Sequence, residues 1–186
     1  MATRWRTAWI TGASSGIGRA LALALAERGV KVVASARSAD KLAELAAGHP
    51  GISPLPLDVT DLAAMRQATR SIAATLGSLD LVVLNAGIFA AMSAWNFSAS
   101  TAARSMEVNY QGVVHGIDAA LPLMLARGEG HIALIGSVAG YRGLPRAAAY
   151  GPSKAALINL AEALTMTSRN AALPSASSIR DMSRRR

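Results

Sequence analysis

Tyr150 and Lys154 stand four residues apart, at the start of a run from Ala155 to Leu164 that reads as a helix. Residues i and i+4 share one helix face, so the phenol and the ammonium point the same way. The pair has a chemical use. A free phenol, with a pKa of about 10, is a poor acid or base at neutral pH, and a neighbouring cation favours the phenolate. A Tyr and a Lys at this spacing also occur on many surface helices, so the weight of the pair comes from what lies upstream.

A second group of residues suits an anion. Thr7 to Thr11 reads as a short strand and runs straight into Gly12, Ser14, Ser15, Gly16, Ile17 and Gly18, followed by a helical stretch from Arg19 to Arg28. A strand, a Gly-rich turn and a helix N-terminus form an anion site. Backbone N–H groups point outward, the helix dipole adds positive potential, and glycines let a pyrophosphate come close. Ser14 and Ser15 add hydroxyl donors. The spacing differs from the Gly-x-Gly-x-x-Gly fingerprint, and the Gly-Lys-Ser/Thr ending of a P-loop is absent. A further strand, Val30 to Ala36, ends at Arg37. In dinucleotide folds an acidic residue at that strand end bonds the adenosine ribose 2′-hydroxyl, whereas an Arg accommodates a 2′-phosphate. No carboxylate stands at this position. Arg37 could stack on adenine and pair with a phosphate, which favours NADP(H) over NAD(H).

The elements that must carry these groups follow from the pattern. Gly29 ends the first helix. Ser38 to Ala47 reads as a helix with Ser38 as N-cap. Ile52 to Leu57, interrupted by Pro54 and Pro56, suits an edge strand, and Asp58 and Val59 follow it. Thr60 or Asp61 caps the next helix, which ends near Gly77. Leu79 to Leu84 is a fourth strand closing in Asn85, Ala86 and Gly87, a small-residue turn where α/β sheets bind ligands. Phe89 to Asn96 reads as a loop, and with Tyr141 to Arg146 it suggests a partly apolar substrate. A single long helix is expected over roughly 98–125. It carries Asn109, a poor helix-interior residue whose inward placement implies a polar task. His131 to Ile135 is the fifth strand and leads to Gly136 and Ser137. This alternation predicts an α/β fold, a Rossmann-type doubly wound parallel sheet. Right-handed crossovers then bring the glycine turn, Arg37, Asp58, Asn85 to Gly87, Ser137 and Tyr150 to one edge.

Composition sets the outer bounds. A chain of 186 residues, 52% hydrophobic and 16% charged, makes one domain with a sizeable core and is not a disordered chain. The absence of cysteine excludes disulfides and thiolate metal sites and suits a reducing cytoplasm. His49, His115 and His131 lack ligand spacing, so no metal is expected. The apolar run from Ala20 to Ala26 falls far short of the roughly 20 residues that cross a bilayer, and no signal peptide follows Arg4 and Arg6. No membrane partner is expected. The net charge is +8, and half of it lies in residues 165–186, where Arg169, Arg180, Arg184, Arg185 and Arg186 face Asp181 alone. A basic tail can bind nucleic acid, but this one lacks interleaved aromatics, and no nucleic acid is expected.

Taken together, these residues resemble the short-chain dehydrogenase/reductase family. The resemblance covers about Thr7 to Leu164 and rests on Thr11, Gly12, Gly16 and Gly18, Asp58, Asn85-Ala86-Gly87, Asn109, Ser137, Tyr150 and Lys154. It implies hydride transfer between NADP(H) and a small-molecule carbonyl or alcohol. Tyr150 would be the acid/base. Lys154 would lower its pKa and bond the nicotinamide ribose. Ser137 would hold the substrate oxygen, and Asn109 would support a water relay to Lys154. Asp58 would meet adenine, and Asn85 to Gly87 would line the adenosine side. Homo-oligomers are common among the full-length relatives. The alternative is a non-catalytic dinucleotide-binding or regulatory protein. The intact Ser137, Tyr150 and Lys154 argue against it.

Beyond Leu164 the resemblance stops. Residues 1–164 read as an incomplete dinucleotide-binding domain that lacks the last strands of the family fold. Residues 165–186 show neither strand alternation nor helical periodicity and read as a disordered tail. In a shifted frame, with free choice of third bases, the same codons can spell a strand and a Pro-Gly turn. The tail is therefore expected to be a frameshift product, the last strand an exposed apolar edge, and the chain a weak cofactor binder with slow turnover.

Overall fold

A computed structural model describes residues 5–170 of the chain, with side chains described as far as Thr165. Five strands form one parallel sheet: β1 (Thr7–Thr11), β2 (Lys31–Ala36), β3 (Ile52–Pro56), β4 (Leu81–Leu84) and β5 (His131–Leu134). Their order is β3-β2-β1-β4-β5. The register sets Thr7 beside Lys31, Val32 beside Ile52, Ala8 beside Leu81 and Leu81 beside His131. β3, with its two prolines, occupies one edge, where a missing ladder donor is tolerated. Among the described residues β5 forms the other edge.

Period-two alternation along the strands feeds a core on each face. Ala8, Ile10, Val32, Leu81 and Val83 turn to one side and meet Leu25 of α1 (Gly16–Ala26) and Leu42 and Leu45 of α2 (Ala39–Ala47). Trp9, Val33, Val82 and Leu84 turn to the other side. There they meet Met65 and Ile72 of α3 (Leu62–Leu76), Ala120 of α5 (Gly112–Arg127) and Leu157 of α6 (Tyr150–Asn170). Each large aliphatic side chain buried this way contributes roughly 1.5–3 kcal/mol. Trp9 is fully buried, and its indole N–H is satisfied at 2.9 Å by Ser35 Oγ.

The sheet and the alternation agree with the expectation from sequence, and several element bounds shift. α1 begins at Gly16, so the last glycines of the turn lie inside its first turn. Ser38 precedes α2, but its side chain makes no capping bond. Of the two candidate caps of α3, Asp61 acts, accepting from Ala64 N at 2.9 Å.

The single helix expected over 98–125 is three pieces: α4 (Ala99–Met106), a π-helical turn (Glu107–Gln111), and α5. The extra residue in that turn lets Asn109 face the interior, where it is fully buried and hydrogen-bonded. α6 begins at Tyr150 rather than Ala155. Pro152 sits in its first turn, where a missing N–H is harmless. Residues 165–170, read from sequence as part of the tail, continue α6, and no Gly or Pro interrupts the chain there. Residues 171–186, the rest of the stretch read as out of frame, lie outside the described residues. Among the described residues no helix is long and apolar enough to cross a membrane.

Candidate active site

The carboxyl ends of β1, β2, β4 and β5 open onto one edge of the sheet. At the end of β1, Gly12 has φ +68, and a Cβ there would stand 2.7 Å from Ala86 Cα. A side chain at Gly18 would collide with the carbonyl oxygen of Gly12. The two glycines therefore let the first turn of α1 close against the Asn85 turn. Asn85 fastens it: its Nδ2 donates to the carbonyls of Thr11 (3.0 Å) and Gly12 (3.1 Å), while Thr11 Oγ1 accepts from Asn85 N and Ala86 N.

Above this junction is a cavity of about 310 Å³. Gly12, Ser14, Ser15 and Ile17 form one wall. Arg37 stands at the end of β2, Asp58 and Val59 lie beyond β3, and Asn85, Ala86 and Gly87 follow β4. Asp58 is the only carboxylate among the described lining residues. Its pKa lies below the usual carboxylate value. The chief cause is the hydrogen bond from Thr60 N at 3.0 Å, burial opposes it, and the Thr60 hydroxyl and the charges of Arg37 and Arg104 assist. Gly16 lines neither this cavity nor its neighbour, and Gly18 serves from beneath.

A second cavity, of about 350 Å³, adjoins the first through Ile17, Asn85, Gly87 and Ile88, which line both. Ser137, Tyr150 and Lys154 face it together with Phe89. Ser137 caps a short 3₁₀ turn: its Oγ accepts from Ala139 N at 3.2 Å, a bond that leaves the hydroxyl proton unused. Lys154 Nζ lies 5.7 Å from the centroid of the Tyr150 ring and donates to the carbonyl of Ile135 at 2.8 Å. Only 4% of Lys154 is exposed, and burial pushes its ammonium down to about 8. The Phe89 ring meets the Tyr150 ring edge-on at 5.4 Å.

Asn109 does not line either cavity. Its amide clasps the backbone of Ile88, accepting from the N–H at 2.7 Å and donating to the carbonyl at 3.0 Å, and also donates to Ser153 Oγ at 3.0 Å. Both N–H groups of the amide are thus committed to protein partners, while Oδ1 has accepted one bond and keeps a second lone pair.

Several residues of the site were not singled out from sequence. Arg104 and Val108 line the first cavity. Their spacing of four residues, which puts the two on one helix face, was the available signal. Ile135 supplies only a carbonyl, which no side-chain pattern announces. A phenol, an ammonium and a hydroxyl around one cavity can hold an oxygen substituent and move a proton to or from it. The glycine turn with Ser14, Ser15 and Arg37 can hold a phosphorylated group. The residues fit a dinucleotide, since Gly12, Ser14 and Ser15 line one wall of the cavity and Arg37 stands at the end of β2. Among the described residues no cluster of His, Asp or Glu could hold a metal ion.

Comparison with known proteins bears on the same residues. The short chain dehydrogenase family model matches residues 6–172. An uncharacterized oxidoreductase of Myxococcus xanthus is 41% identical over 164 residues, covering 86% of this chain and 65% of its own length. The 2-dehydro-3-deoxy-L-rhamnonate dehydrogenase (NAD(+)) of a Sphingomonas strain is 34% identical over 160 residues, with 86% and 64% covered. A Burkholderia phymatum short chain dehydrogenase/reductase, solved in complex with NAD, superposes with a TM-score of 0.87 at 33% identity, over 95% of this chain and 65% of that one. A Streptomyces avermitilis short-chain dehydrogenase gives 0.86 at 30%, over 94% and 64%. The chain thus spans just under two thirds of the length of these relatives. With the family model matching nearly the whole described chain, and the parallel sheet shared with these structures, the chain belongs to the short-chain dehydrogenase family.

Proposed function

We propose that the protein is an oxidoreductase that interconverts a carbonyl and an alcohol with NADP(H), using Tyr150 as acid and base. The observation that carries this reading is the adjacency of the two cavities. The phosphate-friendly glycine turn and the trio of Ser137, Tyr150 and Lys154 share the walls made by Ile17, Asn85, Gly87 and Ile88.

Gly12, Ser14, Ser15, Ile17 and Arg37 hold the phosphorylated end of the cofactor, with Asp58 and Val59 at the adenine and Asn85 to Gly87 along the adenosine. When bound, the nicotinamide supplies or takes up the hydride. Ser137 holds the substrate oxygen through its free hydroxyl proton. Tyr150 gives that oxygen a proton in reduction and takes one in oxidation. Lys154, charged at neutral pH, keeps positive potential beside the phenol and bonds the ribose. Asn109 positions rather than touches. Phe89, half of a ring pair with Tyr150, gives the substrate side an apolar wall.

One relative is named for NAD(+), and one solved neighbour holds NAD. Support for NADP(H) here comes from Arg37 at the end of β2, where Ala36, Arg37 and Ser38 line the cavity and no carboxylate follows the strand. Titrating the full chain with NADPH and with NADH, by quenching of its own fluorescence, tests this. Tighter binding of NADPH is expected. Equal or tighter binding of NADH would refute the preference and leave the fold assignment intact.

A further inference from the structure

Ser153 sits inside the motif that carries Tyr150 and Lys154, is completely buried, and takes no part in the chemistry described above. Its hydroxyl is nevertheless fully engaged. Oγ accepts from Asn109 Nδ2 at 3.0 Å and donates to the carbonyl of Tyr150 at 2.7 Å. One atom therefore links the π-helical turn to the first turn of α6. We propose that Ser153 is a positioning residue that fixes the backbone of Tyr150 against Asn109, and through Asn109 against Ile88, so that the phenol keeps its place in the catalytic cavity.

The chain of contacts is short. Ile88 lines both cavities, and its N–H and carbonyl are held by Asn109. Asn109 holds Ser153, and Ser153 holds the carbonyl at residue 150. All the donors in this path are satisfied, and none of its side-chain polar atoms is left without a partner. Removing the hydroxyl leaves one Asn109 N–H unbonded in a buried setting, and such a group costs more than the bond itself was worth. The path also starts from a turn whose extra residue exists to aim Asn109 inward. A serine that only back-bonded its own helix would satisfy the i−3 carbonyl and need no partner from another element.

The inference rests on the oxidoreductase reading for its kinetic arm and has a second arm that does not. In steady-state kinetics with a carbonyl panel, Ser153→Ala should lower kcat about tenfold while the KM for NADPH stays within about twofold, the loss of one buried bond. Asn109→Ala combined with Ser153→Ala should be no more than about threefold worse than Asn109→Ala alone, because both act through one contact. Additive losses, or a fall in cofactor affinity equal to the fall in kcat, would overturn the proposal. If the wild type reduces no carbonyl, the functional reading fails and amide hydrogen exchange judges Ser153 alone. Selective loss of protection at the start of α6 and in the π-helical turn supports it. Unchanged protection there, or loss spread evenly over the sheet, overturns it.

Discussion

Lys154 hydrogen-bonds the carbonyl of Ile135 at 2.8 Å while its ammonium stays 5.7 Å from the Tyr150 ring. The bond ties α6 to the end of β5 and holds a buried cation beside the phenol. Burial lowers the ammonium from 10.5 to about 8. The unfolded chain therefore binds more protons than the folded one between those values, and stability rises with pH across that window. Below about 8 both states are protonated and the whole penalty is present. Denaturant unfolding at neutral and at strongly alkaline pH should show the wild type gaining roughly 1–3 kcal/mol relative to Lys154→Met. A parallel pH dependence in the two proteins would contradict this.

Arg37 separates the two cofactors. Arg37→Asp places a carboxylate where a ribose 2′-hydroxyl can meet it and a 2′-phosphate cannot. NADPH affinity should fall about ten- to hundredfold, the loss of one charge-assisted contact, and NADH affinity should rise. Fluorescence titration reads both. Unchanged NADPH affinity would remove Arg37 from the site.

Gly12 is required twice over, by its φ of +68 and by the approach of Ala86. Gly12→Ala should cost about 2–4 kcal/mol from strain and overpacking. At Gly48 a Cβ meets nothing within 4 Å, so Gly48→Ala should stay within about 0.5 kcal/mol of wild type. Unfolding midpoints of the two variants check this, and equal midpoints would contradict the strain assigned to Gly12.

Asp80 joins β1 to β4 and α5. Burial works against its ionised form. Hydrogen bonds from Arg6 N, Ser78, Arg127 and Thr7 N outweigh that and hold its pKa below the usual value. A lowered carboxylate stabilises the fold above its unfolded value, about 3.9, and loses that effect as pH falls through the lower folded one. Asp80→Asn should therefore be about 1–3 kcal/mol less stable near neutrality, and the difference should shrink on acidification below about pH 4. A gap that persists in strong acid would show that charge is not the cause.

Much of this molecule was legible before any coordinates. The strands announce themselves because both faces of a parallel sheet are buried, and the turn at Gly12 to Gly18 follows a strand and opens a helix. Arg37, Asp58 and Asn85 could be placed because each follows a strand end. The π-helical turn at Glu107–Gln111 could not, since its residues carry the pattern of an ordinary helix and only the burial of Asn109 calls for the extra residue. The start of α6 was legible only in part: the spacing of Tyr150 and Lys154 asks for a shared helix face, while the apolar run that marks the helix begins at Ala155. Ser153 stood in plain view within the motif. Its role appears only when Asn109, forty-four positions away, arrives at its hydroxyl.

The most direct test is carbonyl-dependent oxidation of NADPH by the wild type and by Tyr150→Phe, with cofactor binding measured on both. The expected result is slow but carbonyl-dependent oxidation by the wild type, a loss of about a hundredfold or more in Tyr150→Phe, and NADPH binding retained in both. Equal rates in the two proteins would contradict the role of Tyr150. NADPH binding without oxidation of any kind in the wild type would favour a non-catalytic dinucleotide-binding protein.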